Sequence, residues 1–420
     1  MKDKVTVNVT GVIRAPVGEV WSIARVFASA WHPAMASCEL AEGTDPCAPG
    51  ALRRFIVHGE SQRYAERLTE FSDECRQLAY RLEEGPAGLE DYSATFELTP
   101  ASWQNWTRLS WSGGFSCARD QASAFWAGTD RIYRHGIDEL ARRLGVPRVL
   151  EPVGLSHVRL ESEPRIAVTS AGRGELCLFL HGIGGSREVW QQQLVSLPAG
   201  IAGAAMDYRG YNGSEDYPGP MTEDGLCDDI ERVRQHFAVD KLHLVGQSMG
   251  SWLALVYHAR YSQRVSSLVL TSGSVGMTRA PDEKRATFLR LREDPLRGGM
   301  LPYENAGNVL PVILSDGADG AARAAVLESL CALRKDSYLK SLRCYTNPLT
   351  VFDTAGIDVP VTLIAAALDP LAPVGEMAAV AAEIPNAQFH VIPGAGHIAN
   401  MEDPGTFNTL IAGHFRALST

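Results

Sequence analysis

Five residues, Gly246-Gln247-Ser248-Met249-Gly250, constrain this chain more than any other stretch because of what flanks them. The apolar run Leu242-His243-Leu244-Val245 before them reads as a buried strand, and Trp252-Leu253-Ala254-Leu255-Val256 after them follows a helical pattern. A strand that turns into a helix over so few residues needs glycine where a Cβ would strike neighbouring backbone, and it lifts the central side chain clear of the sheet edge. Ser248 is that side chain and is therefore a candidate nucleophile. The same pattern also fits an ordinary strand-to-helix loop, so the distinction rests on residues further along.

Two later strands supply the partners a nucleophile needs. Val361 to Ala367 is an apolar strand ending in Leu368-Asp369-Pro370, and Gln388-Phe389-His390-Val391-Ile392 runs into Pro393-Gly394-Ala395-Gly396-His397. A carboxylate and an imidazole thus stand at strand ends, in the chain order Ser, Asp, His found in α/β-hydrolases. In this reading His397 takes the proton of Ser248, and Asp369 fixes the imidazole tautomer. An upstream strand, Cys177 to Leu180, opens into His181-Gly182-Ile183-Gly184-Gly185-Ser186. Its glycines let backbone approach a ligand, and the amides of Ile183 and Met249 are assigned as the oxyanion donors. Gly182, Trp190 and Gln247 are assigned to substrate contact, and His181 to a structural hydrogen bond. A phosphate-cradling loop is excluded, because the lysine and hydroxyl that end such a loop are missing.

On these motifs the segment from about Leu155 to Thr420 resembles the α/β-hydrolases of the group that includes enol-lactone hydrolases, carbon-carbon bond hydrolases, cofactor-free haloperoxidases and carboxylesterases. Asp207-Tyr208-Arg209-Gly210-Tyr211-Asn212-Gly213-Ser214 is similar to a further family segment, with Asn212 at a usual glycine, a position asparagine tolerates. Ser251 and Ala366 also stand where glycine is common. The resemblance implies a mostly parallel sheet flanked by helices, and a helical cap over the site. The insertion from about 272 to 353, with helical patterns at Glu283 to Arg292, Ala321 to Leu333 and Asp336 to Cys344, is read as that cap. Its Arg290, Arg292, Arg334, Lys335 and Arg343 are candidates to face a substrate carboxylate.

At 420 residues the chain exceeds one such domain, and Arg143 to Gly154, with two prolines and two glycines, reads as a linker, its core at 146–154. Residues 1–145 open with the alternating strand Val5 to Ile13 and a helix begun at Pro16. Strands at 52–57, 61–68, 77–82, 92–98 and 107–111 follow, then a long helix from Ala122 to Leu144 with Phe125, Ile132, Ile137, Leu140 and Leu144 as its apolar residues. This is an α+β helix-grip pattern, an antiparallel sheet wrapped on a C-terminal helix. With Trp31-His32-Pro33 and Glu66-Arg67-Leu68, it resembles the polyketide cyclase/dehydrase branch of the START-like (SRPBCC) superfamily. The resemblance implies an apolar cavity that binds hydrophobic or aromatic molecules. Trp31, His32, Trp103, Trp106, Trp111 and Trp126 are its candidate lining, with plain core packing as the alternative for each tryptophan.

The chain has 49 acidic and 39 basic residues, a net charge of −10, which gives no electrostatic footprint for nucleic acid or an anionic membrane. No apolar stretch approaches the roughly 20 residues of a membrane span, and the first residues lack the apolar core of a signal peptide. Eight dispersed cysteines without Cys-x-x-Cys spacing indicate reduced thiols in a cytoplasmic setting and no bound metal. The expectation is therefore a cofactor-free serine hydrolase that cleaves an ester or lactone of a hydrophobic or aromatic small molecule, for which a homo-oligomer is a permitted state. Carbon-carbon hydrolysis of a diketone through the same triad, peracid chemistry and a non-catalytic ligand sensor are the alternatives.

Overall fold

The structure, a computed structural model, describes residues 2–101, 105–146 and 154–418. It divides into two compact units, Met1–Leu150 and Glu151–Thr420. Of the expected linker, residues 147–153 lie outside the described residues, as does Trp103.

The first unit runs β1 (Lys2–Ile13), α1 (Val17–Ala24), β2 (Met35–Leu40), β3 (Leu52–Val57), β4 (Arg63–Ser72), β5 (Gln77–Glu84), β6 (Glu90–Pro100), β7 (Thr107–Ala118) and α2 (Ala122–Arg143). Its strands form one antiparallel sheet in the order β1-β7-β6-β5-β4-β3-β2. Period-two alternation decides which face is covered: Val5, Val7 and Val9 of β1 are buried while Lys4, Thr6 and Asn8 are exposed. In β7, Leu109, Trp111, Phe115 and Cys117 point the same way. α2 packs on β1 and β7 with Trp126, Thr129, Tyr133, Ile137 and Leu140 on its buried face, three or four residues apart. Its Tyr133 ring stacks on Trp111 with centroids 4.6 Å apart. Gly136 permits the close approach, since a Cβ there would lie 2.7 Å from the Trp111 ring and 2.8 Å from that of His32.

Of the apolar residues named on α2, Phe125 and Ile132 border a cavity; the Phe125 ring lies edge-on to Phe115 and Ile132 is 45 % exposed. Trp126 and Tyr133 lie on the buried face of the helix. Strand β2 has no counterpart in the sequence reading, because Met-Ala-Ser-Cys-Glu-Leu at a half-exposed sheet edge lacks an apolar face.

The second unit begins with the antiparallel pair β8 (Ser156–Arg159) and β9 (Ala167–Ala171), followed by β10 (Gly174–Leu180), α3 (Gln191–Leu194), β11 (Gly200–Met206), α4 (Glu223–His236), β12 (Leu242–Gln247), α5 (Met249–Tyr261) and β13 (Val265–Thr271). Four helices come next: α6 (Asp282–Arg297), α7 (Ala306–Ile313), α8 (Gly320–Ala332) and α9 (Lys335–Thr346). The unit closes with β14 (Val361–Ala366), α10 (Val374–Glu383), β15 (Gln388–Ile392), α11 (Ala399–Glu402) and α12 (Pro404–Leu418). The sheet order is β15-β14-β13-β12-β10-β11-β9-β8, parallel from β15 to β11. Every residue of β12 and β14 is buried, as strands covered on both faces require. Phe179, Trp190, Ile364, Phe407 and Phe415 belong to one core cluster on the sheet. The cap has four helices where three were expected; α7 contains Pro311, which hid its helical pattern. No described helix is long and apolar enough to cross a membrane.

Candidate active site

The chain leaves β12 at Gln247, turns at Ser248 and enters α5 at Met249. Ser248 has φ 56° and ψ −114°, a strained conformation for a residue with a Cβ. The flanking glycines are sterically required: a Cβ on Gly246 would lie 2.3 Å from the Gly250 carbonyl oxygen, and one on Gly250 would lie 2.1 Å from that of Leu180. The Ser248 amide donates to the Thr271 carbonyl at 2.9 Å, which ties the turn to the neighbouring strand. Ser251, at a usual glycine, adds a second tie, with its hydroxyl 2.7 Å from the Gly246 carbonyl and accepting the Thr271 amide at 3.0 Å.

Asp369 lies just beyond β14, and His397 in the loop between β15 and α11. His397 Nδ1 sits 3.0 and 2.9 Å from the two Asp369 carboxylate oxygens, both side chains being buried. A carboxylate only accepts, so Nδ1 carries the proton, and Nε2 is left with a lone pair for a serine hydroxyl. Burial by itself pushes the Asp369 carboxyl up, but the hydrogen bond and charge of His397, with the amides of Ala372 and Leu371, outweigh it and hold the pKa below the ordinary carboxylate value. The Ser248 hydroxyl has no hydrogen-bond partner among the described residues. Such a bond commonly tightens only when ligand is bound.

Ser248, His397, Gly182, Ile183 and Gln247 all line one cavity of about 550 Å³, and cap residues Phe288, Leu330, Tyr338 and Tyr345 complete its wall. The Ile183 amide has no acceptor among the described residues, nor does the amide of Met249, the first residue of α5. Both N–H groups are free to donate to a ligand oxygen. Gln247 also donates to the His397 carbonyl at 3.0 Å, so it holds the histidine loop as well as the wall. His181 is fully buried, bonds the Gly182 carbonyl at 2.7 Å through Nδ1 and packs on Tyr208. Trp190 is a correction: it does not line the cavity but is fully buried against Phe179 and Phe407 in the core, its large ring packed there although its indole N–H has no partner among the described residues.

Sequence reasoning missed the residues that hold the loops. Glu402 accepts from the Gly396 amide at 3.1 Å and the Ser315 amide at 2.9 Å, joining the histidine loop to the cap. Asp207 accepts from the amides of Arg187 at 2.8 Å and Gly213 at 3.1 Å and pairs with the Arg187 guanidinium, which fixes the chain just after the Gly182–Ser186 loop. Of the cap cations read from sequence, Arg334 is spent on the Gly210 and Ser214 carbonyls and Arg343 on Glu293, while Arg292 lines the cavity. The described residues contain no cluster of His, Cys, Asp or Glu that could hold a metal ion.

The first unit has its own cavity, of about 230 Å³, lined by Trp31, His32 and Trp111 together with Tyr80, Tyr92 and the buried Arg53–Glu66 pair. Trp106 and Trp126 do not line it. His32 Nδ1 accepts the Ala34 amide at 3.1 Å, which leaves Nε2 protonated and donating to the Ile132 carbonyl at 2.8 Å. With both nitrogens engaged, the ring is a structural element. Burial lowers its pKa to about 4, with the Arg53 charge acting in the same direction. The neutral ring is therefore favoured on folding; its contribution is complete above pH about 6.5 and is lost as the pH falls toward 4, about 3 kcal/mol in all. Unfolding free energies of wild type and His32→Gln measured between pH 4 and 7.5 are expected to show the steeper acid loss in wild type.

Residues 176–404 match the family model described as alpha/beta hydrolase fold, and residues 4–145 match that for polyketide cyclase/dehydrase and lipid transport. A curated relative from Klebsiella pneumoniae (strain 342), described as "Putative carbamate hydrolase RutD", is 27 % identical over 247 residues, 56 % of this chain and 90 % of that protein. Among solved structures, a thermophilic esterase from Thermogutta terrifontis matches with a TM-score of 0.58 at 23 % identity, over 64 % of this chain and all of that one. The enol-lactonase from Burkholderia xenovorans LB400 matches with a TM-score of 0.56 at 18 % identity, over 62 % of this chain and all of its own. At these identities the structural likeness is one of fold.

Proposed function

This chain belongs to the α/β-hydrolase family, and from that premise we propose that it is a serine hydrolase cleaving an ester or lactone, enol-lactones included, of a hydrophobic or aromatic small molecule. The observation that carries this reading is the convergence of Ser248, His397 and the Gly182-Ile183 loop on one cavity, with His397 anchored to Asp369. Ser248 Oγ attacks the carbonyl carbon as His397 Nε2 takes its proton. The Ile183 and Met249 amides receive the oxyanion, His397 protonates the leaving oxygen, and an acyl-Ser248 ester remains. Water deprotonated by His397 then attacks that ester, the acid departs, and Ser248 recovers its proton. Cap side chains Phe288, Leu330, Tyr338 and Tyr345 line the cavity, and a substrate that displaces water against them strengthens each of these electrostatic contacts.

The N-terminal domain, in this reading, binds the same molecule or a related one, a role supported by its aromatic-lined cavity. A carbamate is a second substrate class, supported by the relative described by that chemistry; it places a nitrogen leaving group on the same acyl transfer. Intact-mass analysis after fluorophosphonate treatment tests the reading, together with a panel of aryl esters, lactones, carbamates and ring-cleavage diketones. A single adduct on wild type that is absent from Ser248→Ala, with ester or lactone turnover, is the expected result. Folded wild-type protein with neither adduct nor turnover would sink it, and turnover of the diketones alone would move the reading to carbon-carbon cleavage.

A further inference from the structure

The cavity beside Ser248 is lined by three cationic side chains, Arg279, Lys284 and Arg292, and one carboxylate, Glu376. Arg279 is bound by Glu383 and Thr354, and Lys284 faces Glu376 at 3.5 Å on an exposed rim. Arg292 differs. It rises from α6 over the Phe288 ring, 3.6 Å from its centroid, and its one hydrogen bond runs to the Phe288 carbonyl at 3.2 Å. No carboxylate pairs with it among the described residues.

A guanidinium keeps its charge at any physiological pH and offers five donors in a planar fork suited to a carboxylate. Removing such a cation from bulk water without an anion is unfavourable, and a ring face offsets only part of that loss. Burial indeed depresses the Arg292 pKa, with the nearby phenols of Tyr338 and Tyr345 acting in the opposite direction. Those two tyrosines stand seven residues apart on α9, line the same cavity, and have hydroxyls with no hydrogen-bond partner among the described residues. One unpaired cation and two unengaged phenols, all on the cap, make a donor cluster with nothing to accept from it.

We infer that Arg292, with the Tyr338 and Tyr345 hydroxyls, is a carboxylate-recognition site, so that the substrate is an ester or lactone that also carries a free carboxylate remote from the reacting carbonyl. The inference rests on the hydrolase reading for the bond that is cleaved, but the anion site itself is a binding property. Arg292 is then a specificity residue: it orients the acyl or alcohol portion so that the carbonyl reaches Ser248, and it rejects the uncharged counterpart by leaving a cation unsatisfied.

The test uses the full chain and two measurements. The first is calorimetric binding of monomethyl esters of the straight-chain dicarboxylic acids from four to eight carbons to Ser248→Ala, each compared with its dimethyl ester. At least one monoester is expected to bind tenfold or more tighter than its diester, and adding Arg292→Gln is expected to weaken that binding about tenfold to a hundredfold, with Arg292→Lys intermediate. The second is turnover of the same pairs by the Ser248 enzyme, where Arg292→Gln is expected to lower the monoester-to-diester ratio of kcat/KM at least tenfold, mainly through KM. Binding that depends on Arg292 without turnover of any ester would keep the anion site and overturn the hydrolase reading. Turnover with no preference for monoesters, or a ratio unmoved by Arg292→Gln, would overturn the anion site and keep the hydrolase. Absence of Arg292-dependent binding at every chain length also overturns it.

Discussion

Replacing Ser248 by alanine is expected to lower kcat on any hydrolysed ester by about 10⁴-fold or more, with substrate affinity changed only a fewfold. The expectation follows from what the substitution removes. Ser248 Oγ makes no hydrogen bond among the described residues, so its deletion strands no buried partner. Alanine and serine face the same steric objection to φ 56°, so the strain of the turn is unchanged and the change in stability should stay below about 1 kcal/mol. The amides of Ile183 and Met249 and the cap wall remain, which is why binding survives. Steady-state assays on the best ester of the panel, with thermal unfolding as control, decide it. Residual activity above about 1 % of wild type, in protein shown free of contaminating esterase, would remove Ser248 from the role of nucleophile.

How much of this was legible in the sequence depends on whether a feature is local. The turn at Ser248 could be read because strand, glycines and helix all lie within about fifteen residues, and each glycine answers a collision that the structure displays. Asp369 and His397 could be read because each ends an apolar run, and the parallel order β13-β14-β15 carries those ends to the same edge of the sheet as β12. Trp190 could not be placed correctly. Its ring packs against Phe407 on α12, more than two hundred residues away, a contact that no local pattern displays. Glu402 and the Asp207–Arg187 pair escaped notice for a related reason: a carboxylate that joins two loops looks, in one dimension, like any solvated acid. Arg292 was one of five cap cations in the sequence reading, and only packing separates it from those already paired.

Asp369→Asn is the second substitution with a large expected effect, about 10⁴-fold in kcat with KM little changed. Asp369 Oδ1 accepts the Leu371 amide at 2.8 Å and the Ala372 amide at 3.1 Å, and both carboxylate oxygens face His397 Nδ1. An asparagine satisfies the two amides best by keeping its carbonyl oxygen toward them, and its NH₂ then meets the imidazole. Two donors cannot share that contact, so the ring shifts its proton to Nε2, and the nitrogen that must take the Ser248 proton no longer has a lone pair. The defect is therefore one of tautomer and charge, and the cavity should stay intact. A stability measurement gives an independent check. The folded state holds the Asp369 pKa below its ordinary value, so the carboxylate stabilises the fold above pH about 4 and that stabilisation is lost as the pH falls through the folded-state pKa. The stability difference between wild type and Asp369→Asn should accordingly be present at pH 7 and shrink on acidification below about 4. An asparagine variant that keeps a tenth or more of wild-type kcat, or whose stability deficit does not diminish in acid, would show that Asp369 does not hold the imidazole in its working form.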